Sequence, residues 1–260
     1  MSQVVVSIEE SVATIRLNDP GSLNALSASM GADFDAAMDG VSADESVRAL
    51  IITGTGRAFS AGGDVQAFYD NREDPTDVMR AILDGLHGSV SRILAAPFPT
   101  IAAINGVVAG AGMGVAMATD LAVAVDTAVF TMAYTGIGVS PDGSSTFFLP
   151  RLVGTRRAME MILTNRRLSA AEALDLGIVN AVADGDTFDE EVANLALRLS
   201  RGPTIAYVRA RELVRSSLAS DPLSQMDAEA EAIMNAAKTD DFYEGVSAFI
   251  EKRPPTFTGT

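Results

Sequence analysis

The chain has 260 residues, 48% of them hydrophobic, with no cysteine, a single histidine and a formal net charge of −15. That length and apolar content suffice for one large domain with a packed core. The composition excludes disulfides, thiolate metal ligands, a cysteine nucleophile and a multi-histidine metal centre. Its acidic balance, with lysine only at Lys238 and Lys252, also argues against a general nucleic-acid binder.

In chain order, residues 4–8 and 12–17 are β-rich runs parted by Glu9, Glu10 and Ser11, which predicts a hairpin. The opening segment lacks the basic stretch and apolar core of a signal peptide, so a cytoplasmic protein is expected. Ser27 is a candidate N-cap, followed by Met30, Phe34, Met38 and Val41 at helical spacing. Residues 49–53 form a buried strand that runs into the glycine-rich stretch 54–64. Residues 77–94 make an amphipathic helix with Val78, Ile82, Leu86, Val90 and Leu94 on one face, ended by Pro97 and Pro99. A strand at 100–104, a turn at 105–112, a short helix at 113–119 and a strand at 121–125 follow. Asn105, Asp120 and several glycines interrupt this apolar region, so it does not read as a membrane span.

Ser169 and Glu172 have capping-box spacing, and Gly177 closes that short helix. Beyond residue 189 the pattern is helical throughout: 189–200, 203–218, 222–238 and 240–252, with Pro203 and Pro222 at first-turn positions. A mixed β/α body over residues 1–195 thus precedes a helical region over 196–260. Strands separated by helices predict parallel pairing. The helical region is too thin to bury a core of its own and should pack on the body or on another subunit.

Two segments share one design, a buried strand entering a glycine-rich turn and then a helix: residues 53–64 and residues 104–114. Glycines let the backbone approach a ligand and leave amide N–H groups unpaired, and at a helix N-terminus those amides carry partial positive charge. Facing each other, two such turns could hold an oxyanion; taken singly, each is equally a tight turn for close helix packing. A dinucleotide fingerprint fits worse, because Val115 stands where the third glycine belongs. No P-loop or Gly-x-Ser-x-Gly elbow is present.

Taken together these residues resemble the crotonase (enoyl-CoA hydratase/isomerase) superfamily. Ala58-Phe59-Ser60-Ala61-Gly62-Gly63-Asp64 is similar to its first oxyanion-hole segment, and Ala103-Ile104-Asn105-Gly106 through Gly110-Ala111-Gly112 to its second. Leu149-Pro150-Arg151-Leu152-Val153-Gly154, the run from Leu168 to Val179, and Glu244-Gly245-Val246-Ser247-Ala248-Phe249 extend the match in order along essentially the whole chain. The resemblance implies an α/β fold, a spiral of ββα turns with a C-terminal helical trimerisation region, assembled as a homotrimer or a dimer of trimers. It implies an acyl-CoA thioester substrate, with coenzyme A as part of that substrate and no metal or redox cofactor. The thioester carbonyl is expected between the amides of Ser60 and Ala111, each placed to within one residue. Coenzyme A is expected against Asn24, Ala25, Ala58, Ala61, Gly62, Gly63, Asp64 and Gly110, with Phe249 and Lys252 reaching the nucleotide from a neighbouring subunit. Asp64 also reads as a helix cap.

Hydratases of this family use two glutamates, and here their positions hold Gly114 and Tyr134. A two-glutamate mechanism is therefore not expected. The next turn carries Asp142, between an apolar strand and Phe147 and Phe148. A carboxylate held partly out of water serves as a base for a carbon acid; as an alternative, Asp142 caps the following helix. Pro141-Asp142 and the run 241–249 resemble the ring-epoxide isomerases of phenylacetyl-CoA breakdown and other single-aspartate enoyl-CoA isomerases. The run 153–166 resembles the 4-chlorobenzoyl-CoA dehalogenases, which also need a histidine and a tryptophan. This chain has no tryptophan, and Ser91 stands at the histidine position. The leading expectation is an acyl-CoA isomerase with Asp142 as proton shuttle; the alternatives are a hydratase, hydrolase or dehalogenase, or a non-catalytic acyl-CoA binder. His87 reads as a residue at the edge of its helix's apolar stripe or as a catalyst. Tyr134 is either a pocket wall or a hydroxyl donor to the acyl end. Phe68, Met79 and Met132 line an acyl tunnel or simply pack the core.

Overall fold

The computed structural model describes residues 2–260. The predicted hairpin forms from β1 (Val4–Glu9) and β2 (Val12–Leu17), paired antiparallel. Helix α1 (Ala28–Ala43) starts where Ser27 accepts a hydrogen bond from the Met30 amide, and it buries Met30, Phe34, Met38 and Val41. Then come β3 (Ala49–Gly54), β4 (Ala58–Ser60), α2 (Val65–Asp70) and α3 (Thr76–Ala95). After these the chain runs through β5 (Thr100–Ile104), β6 (Val107–Ala109), α4 (Ala111–Ala118), β7 (Leu121–Val125) and β8 (Val129–Thr131).

These elements build two sheets by one repeated step. Strands β3, β5 and β7 lie side by side and parallel in a six-stranded sheet, while β4, β6 and β8 lie parallel in a four-stranded sheet. Each turn of the chain gives one strand to each sheet and then a helix, which is the expected ββα spiral. The corner between the sheets leaves carbonyls that no strand partner reaches, and buried polar groups need partners. Two asparagines supply them. Asn24 donates to the carbonyls of Thr55 and Ala58 at 3.0 and 2.7 Å. Asn105 donates to the Gly56 carbonyl at 2.9 Å and accepts from the Gly54 amide at 3.1 Å.

The short strands β4 and β6 lie in stretches that the sequence pattern assigns to turns, because three residues are too few to show a period. Along α3 the burial stripe is Ile82, Leu86, Val90 and Ile93, with Val78 and Leu94 only half-buried. The fully buried rings Phe34, Phe59, Phe98 and Phe130 each stabilise the core by about 1.5–3 kcal/mol.

The rest of the chain comprises α5 (Ser145–Val153), α6 (Thr155–Thr164), β9 (Leu168–Ser169), α7 (Ala170–Asp175) and β10 (Ala181–Ala183). Helices α8 (Phe188–Ser200), α9 (Thr204–Ser217), α10 (Pro222–Ala236) and α11 (Asp240–Glu251) follow. The capping box at Ser169 forms with both of its hydrogen bonds. Pro222 opens α10 as expected, whereas Pro203 precedes α9 and occupies its N-cap.

The helical region packs on the body. Helix α8 lies across β2, β3 and β7. Helix α9 is fixed by two arginines that reach carbonyls at the ends of α3 and α4. Arg211 donates to Phe98 at 3.1 Å, Arg215 to Leu94 and Ala118 at 3.0 and 2.9 Å, and both bond Asp120. The C-terminal residues fold back onto α11, where buried Asp241 accepts from the amides of Thr258 and Gly259. Among the described residues, no helix is long and apolar enough to cross a membrane.

Candidate active site

The two glycine turns meet as their shared design suggested. Gly62 has φ +95°, and a Cβ there would stand 2.9 Å from the Ala109 carbonyl and 3.3 Å from the Ala111 nitrogen. Only a glycine lets the turn after β4 lie this close to the start of α4. Beside this contact opens a cavity of about 500 Å³, whose lining includes Gly63, Gly110, Ala111, Tyr134 and Asp142. Phe68, Met79, Ile82, Leu83, Ile137 and Val139 supply its apolar wall.

The amides at the cavity differ from the expected pair in one member. Ala111 is the first residue of α4, so its N–H has no partner within the helix, and the helix dipole adds positive potential there. Ser60 is fully buried at the end of β4 and does not line the cavity. Its hydroxyl donates to the Asn24 carbonyl at 2.8 Å and accepts from the Gly62 amide at 3.2 Å, which is a structural role. The Ala61 amide is also occupied, by the Leu23 carbonyl at 2.9 Å. Gly63 is the residue of this turn that faces the cavity with an amide lacking a protein partner among the described residues. The correction arises because Ser60 still belongs to the sheet, and the chain turns outward only after Gly62.

The other expected contacts divide in the same way. Ala61, Gly63, Phe68, Gly110 and Tyr134 line the cavity. Asn24 and Ala58 are fully buried in the corner between the sheets and offer no surface to a ligand. Gly62 is buried and accepts from the Leu26 amide, and Ala25 lies half-buried beside it. Asp64 caps α2, accepting from the Ala67 amide at 3.0 Å. Met79 is part of the cavity wall, whereas Met132 is core. His87 is exposed on α3 and lies outside the cavity lining. Phe249, 83% exposed, lines a separate apolar groove among the C-terminal helices, and Lys252 is exposed at the end of α11.

Asp142 does not cap α5. The N-cap is Ser144, and no side chain caps this helix. Instead the Asp142 carboxylate accepts a 2.5 Å hydrogen bond from the Tyr134 hydroxyl. Tyr134 is therefore a cavity wall whose hydroxyl is engaged by Asp142, a pairing the sequence reading missed. Burial foremost, and then the charge and hydrogen bond of Asp142, push the Tyr134 phenol far above its ordinary value of 10.0, so it stays a donor.

Gly114 shows why a glutamate is missing there. A Cβ at this position would stand 2.5 Å from the Gly143 carbonyl and 3.2 Å from the Ser145 hydroxyl. The loop that carries Asp142 occupies the space a side chain would need. Gly114→Ala is expected to cost about 1–3 kcal/mol by overpacking, read as a lower denaturant midpoint at unchanged slope.

The family profile described as enoyl-CoA hydratase/isomerase matches residues 7–260. The chain is 35% identical over 263 residues to the 1,2-epoxyphenylacetyl-CoA isomerase of Escherichia coli, covering 100% of this chain and 99% of that one. It is 40% identical over 208 residues to 4-chlorobenzoyl coenzyme A dehalogenase-2 of Arthrobacter, covering 76% and 73% of the two chains. A crystal structure of an enoyl-CoA hydratase from Polaromonas superposes with a TM-score of 0.93 at 31% identity, covering 98% of this chain and 99% of that one. With the two-sheet spiral and the cavity between its glycine turns, these likenesses establish that the chain belongs to the enoyl-CoA hydratase/isomerase family and is an acyl-CoA enzyme of the crotonase fold.

Proposed function

We propose that the protein is an acyl-CoA isomerase that stabilises a thioester enolate between the amides of Gly63 and Ala111 and moves a proton with Asp142. The supporting observation is that, among the described residues, Asp142 is the one carboxylate lining the cavity onto which those amides open. Polarising the thioester carbonyl acidifies the adjacent carbon. Asp142 takes that proton, and the electron pair left behind is shared between the thioester oxygen and, through the neighbouring double bond, the carbon two positions further along, as a dienolate. The protonated carboxyl then returns the proton two carbons further along, and the double bond shifts with no change in composition. The place of a second acid/base group is filled by the Gly143 carbonyl against Gly114, which argues against adding water by the two-glutamate route. The apolar wall suits a hydrocarbon or aromatic acyl group without further charge.

A panel of unsaturated and aromatic acyl-CoAs, followed by mass and ultraviolet absorbance, tests the reading. Isomerisation leaves the mass unchanged as conjugated absorbance changes. A gain of one water, loss of halide or release of free coenzyme A would assign the cavity to a hydratase, dehalogenase or hydrolase instead. Binding without turnover of any member would make the protein a carrier. The exposed apolar side chains Leu223, Ile233 and Met234 on α10 and Phe249 and Ile250 on α11 support assembly into a homotrimer or a dimer of trimers. In such an assembly Phe249 and Lys252 would reach a neighbour's nucleotide. Light scattering on the eluting protein checks this, and a monomer at micromolar concentration would refute it.

A further inference from the structure

We propose that Tyr134 is the positioning residue of Asp142, leaving a single carboxylate oxygen to exchange protons with the substrate. This inference rests on Asp142 acting as the base. The Tyr134 hydroxyl donates to Oδ1 of Asp142 at 2.5 Å, and Oδ2 has no hydrogen-bond partner among the described residues. Both residues line the cavity, and they are the titratable groups in its lining. Both residues lie in the connection between β8 and α5, so the bond closes this loop on itself over eight residues. The anchor is firm, since Tyr134 is only 8% exposed. Ser145, fully buried at the start of α5, has a hydroxyl without a hydrogen-bond partner among the described residues.

This arrangement has consequences for a proton shuttle. A carboxylate free to rotate about its last torsion offers either oxygen to either carbon. Pinned through Oδ1, it presents Oδ2 on one face of the acyl plane for both removal and return of the proton. Tyr134 itself neither gains nor loses a proton in the cycle. It holds the base in one rotamer.

Tyr134→Phe keeps the wall and removes the hydroxyl. The expected result with a 3-enoyl-CoA is a fall in kcat of about tenfold or more, as for a misaligned catalytic group. KM should stay within about twofold, since hydroxyl loss touches the base rather than ground-state binding. In proton NMR the parent should show a slowly exchanging downfield hydroxyl resonance that disappears in Tyr134→Phe and shifts in Asp142→Asn. A lowered kcat accompanied by a KM raised well beyond twofold would mean that Tyr134 is only packing, and the proposal falls. It falls equally if kcat is unchanged, or if the hydroxyl resonance is missing from the parent or indifferent to Asp142→Asn. Full turnover in Asp142→Asn is a different failure, because it removes the base and leaves the bond in place.

Discussion

Asp142→Asn is expected to lower turnover of a 3-enoyl-CoA by about 100- to 10,000-fold, the usual contribution of a positioned acid/base group, with little change in KM. The substitution is nearly isosteric, and the amide oxygen can still accept from Tyr134. The fold should therefore hold, all the more because Asp142 caps no helix. What the amide lacks is the ability to take a proton, and among the described residues no other carboxylate lines the cavity to replace it. The loss should thus appear in kcat and kcat/KM together, the signature of an interaction made in the transition state. A unaltered melting temperature with a parent-like rate would remove Asp142 from the mechanism.

Ala111→Pro addresses the other half of the site. A backbone donor is usually beyond the reach of mutagenesis, but position 111 is the first residue of α4. There proline is well tolerated, since its fixed φ suits the first helical turn and the missing N–H was unpaired by the helix in any case. The variant should deplete the oxyanion hole of one donor, with the proline ring entering where the hydrogen stood. Loss of one such donor costs about 100- to 1000-fold in rate, and kcat/KM should fall at least that far. The melting temperature should stay within a few degrees, which separates this effect from unfolding. If Ala111→Pro turned over substrate at the parent rate, the thioester oxygen would have to lie elsewhere.

Much of the fold is legible from local pattern. The hairpin, the Ser27 cap, the amphipathic α3, the capping box at Ser169 and the helices after residue 188 each declare themselves within a short window. The strands of the four-stranded sheet do not. At two or three residues apiece, β4, β6, β8 and β9 carry no period, and they are strands only because the spiral lays them beside one another. The site divides along the same line. Asp142 could be marked as a lone carboxylate in its turn, whereas Ala111 follows only from the family resemblance, because the residue pattern starts the helix at Met113 and the structure starts it at Ala111. Gly63 could have been favoured over Ser60 by one signal, its place just before the Asp64 cap and beyond the sheet.

By itself, the sequence determined the hairpin, the main helices, the two glycine turns and the presence of one candidate base. These follow from side-chain chemistry and from spacing along a single segment, while the absence of the glutamate pair rests on the family resemblance. Only the tertiary structure decided which amide of the first turn faces the cavity, that Asn24 and Ala58 close a corner rather than a ligand site, and that Tyr134 holds Asp142. Those outcomes depend on how segments far apart in the chain come to rest against each other. A displacement of one residue in a strand turns a backbone group or side chain from one face to the other, and packing contacts that no local pattern records fix that choice.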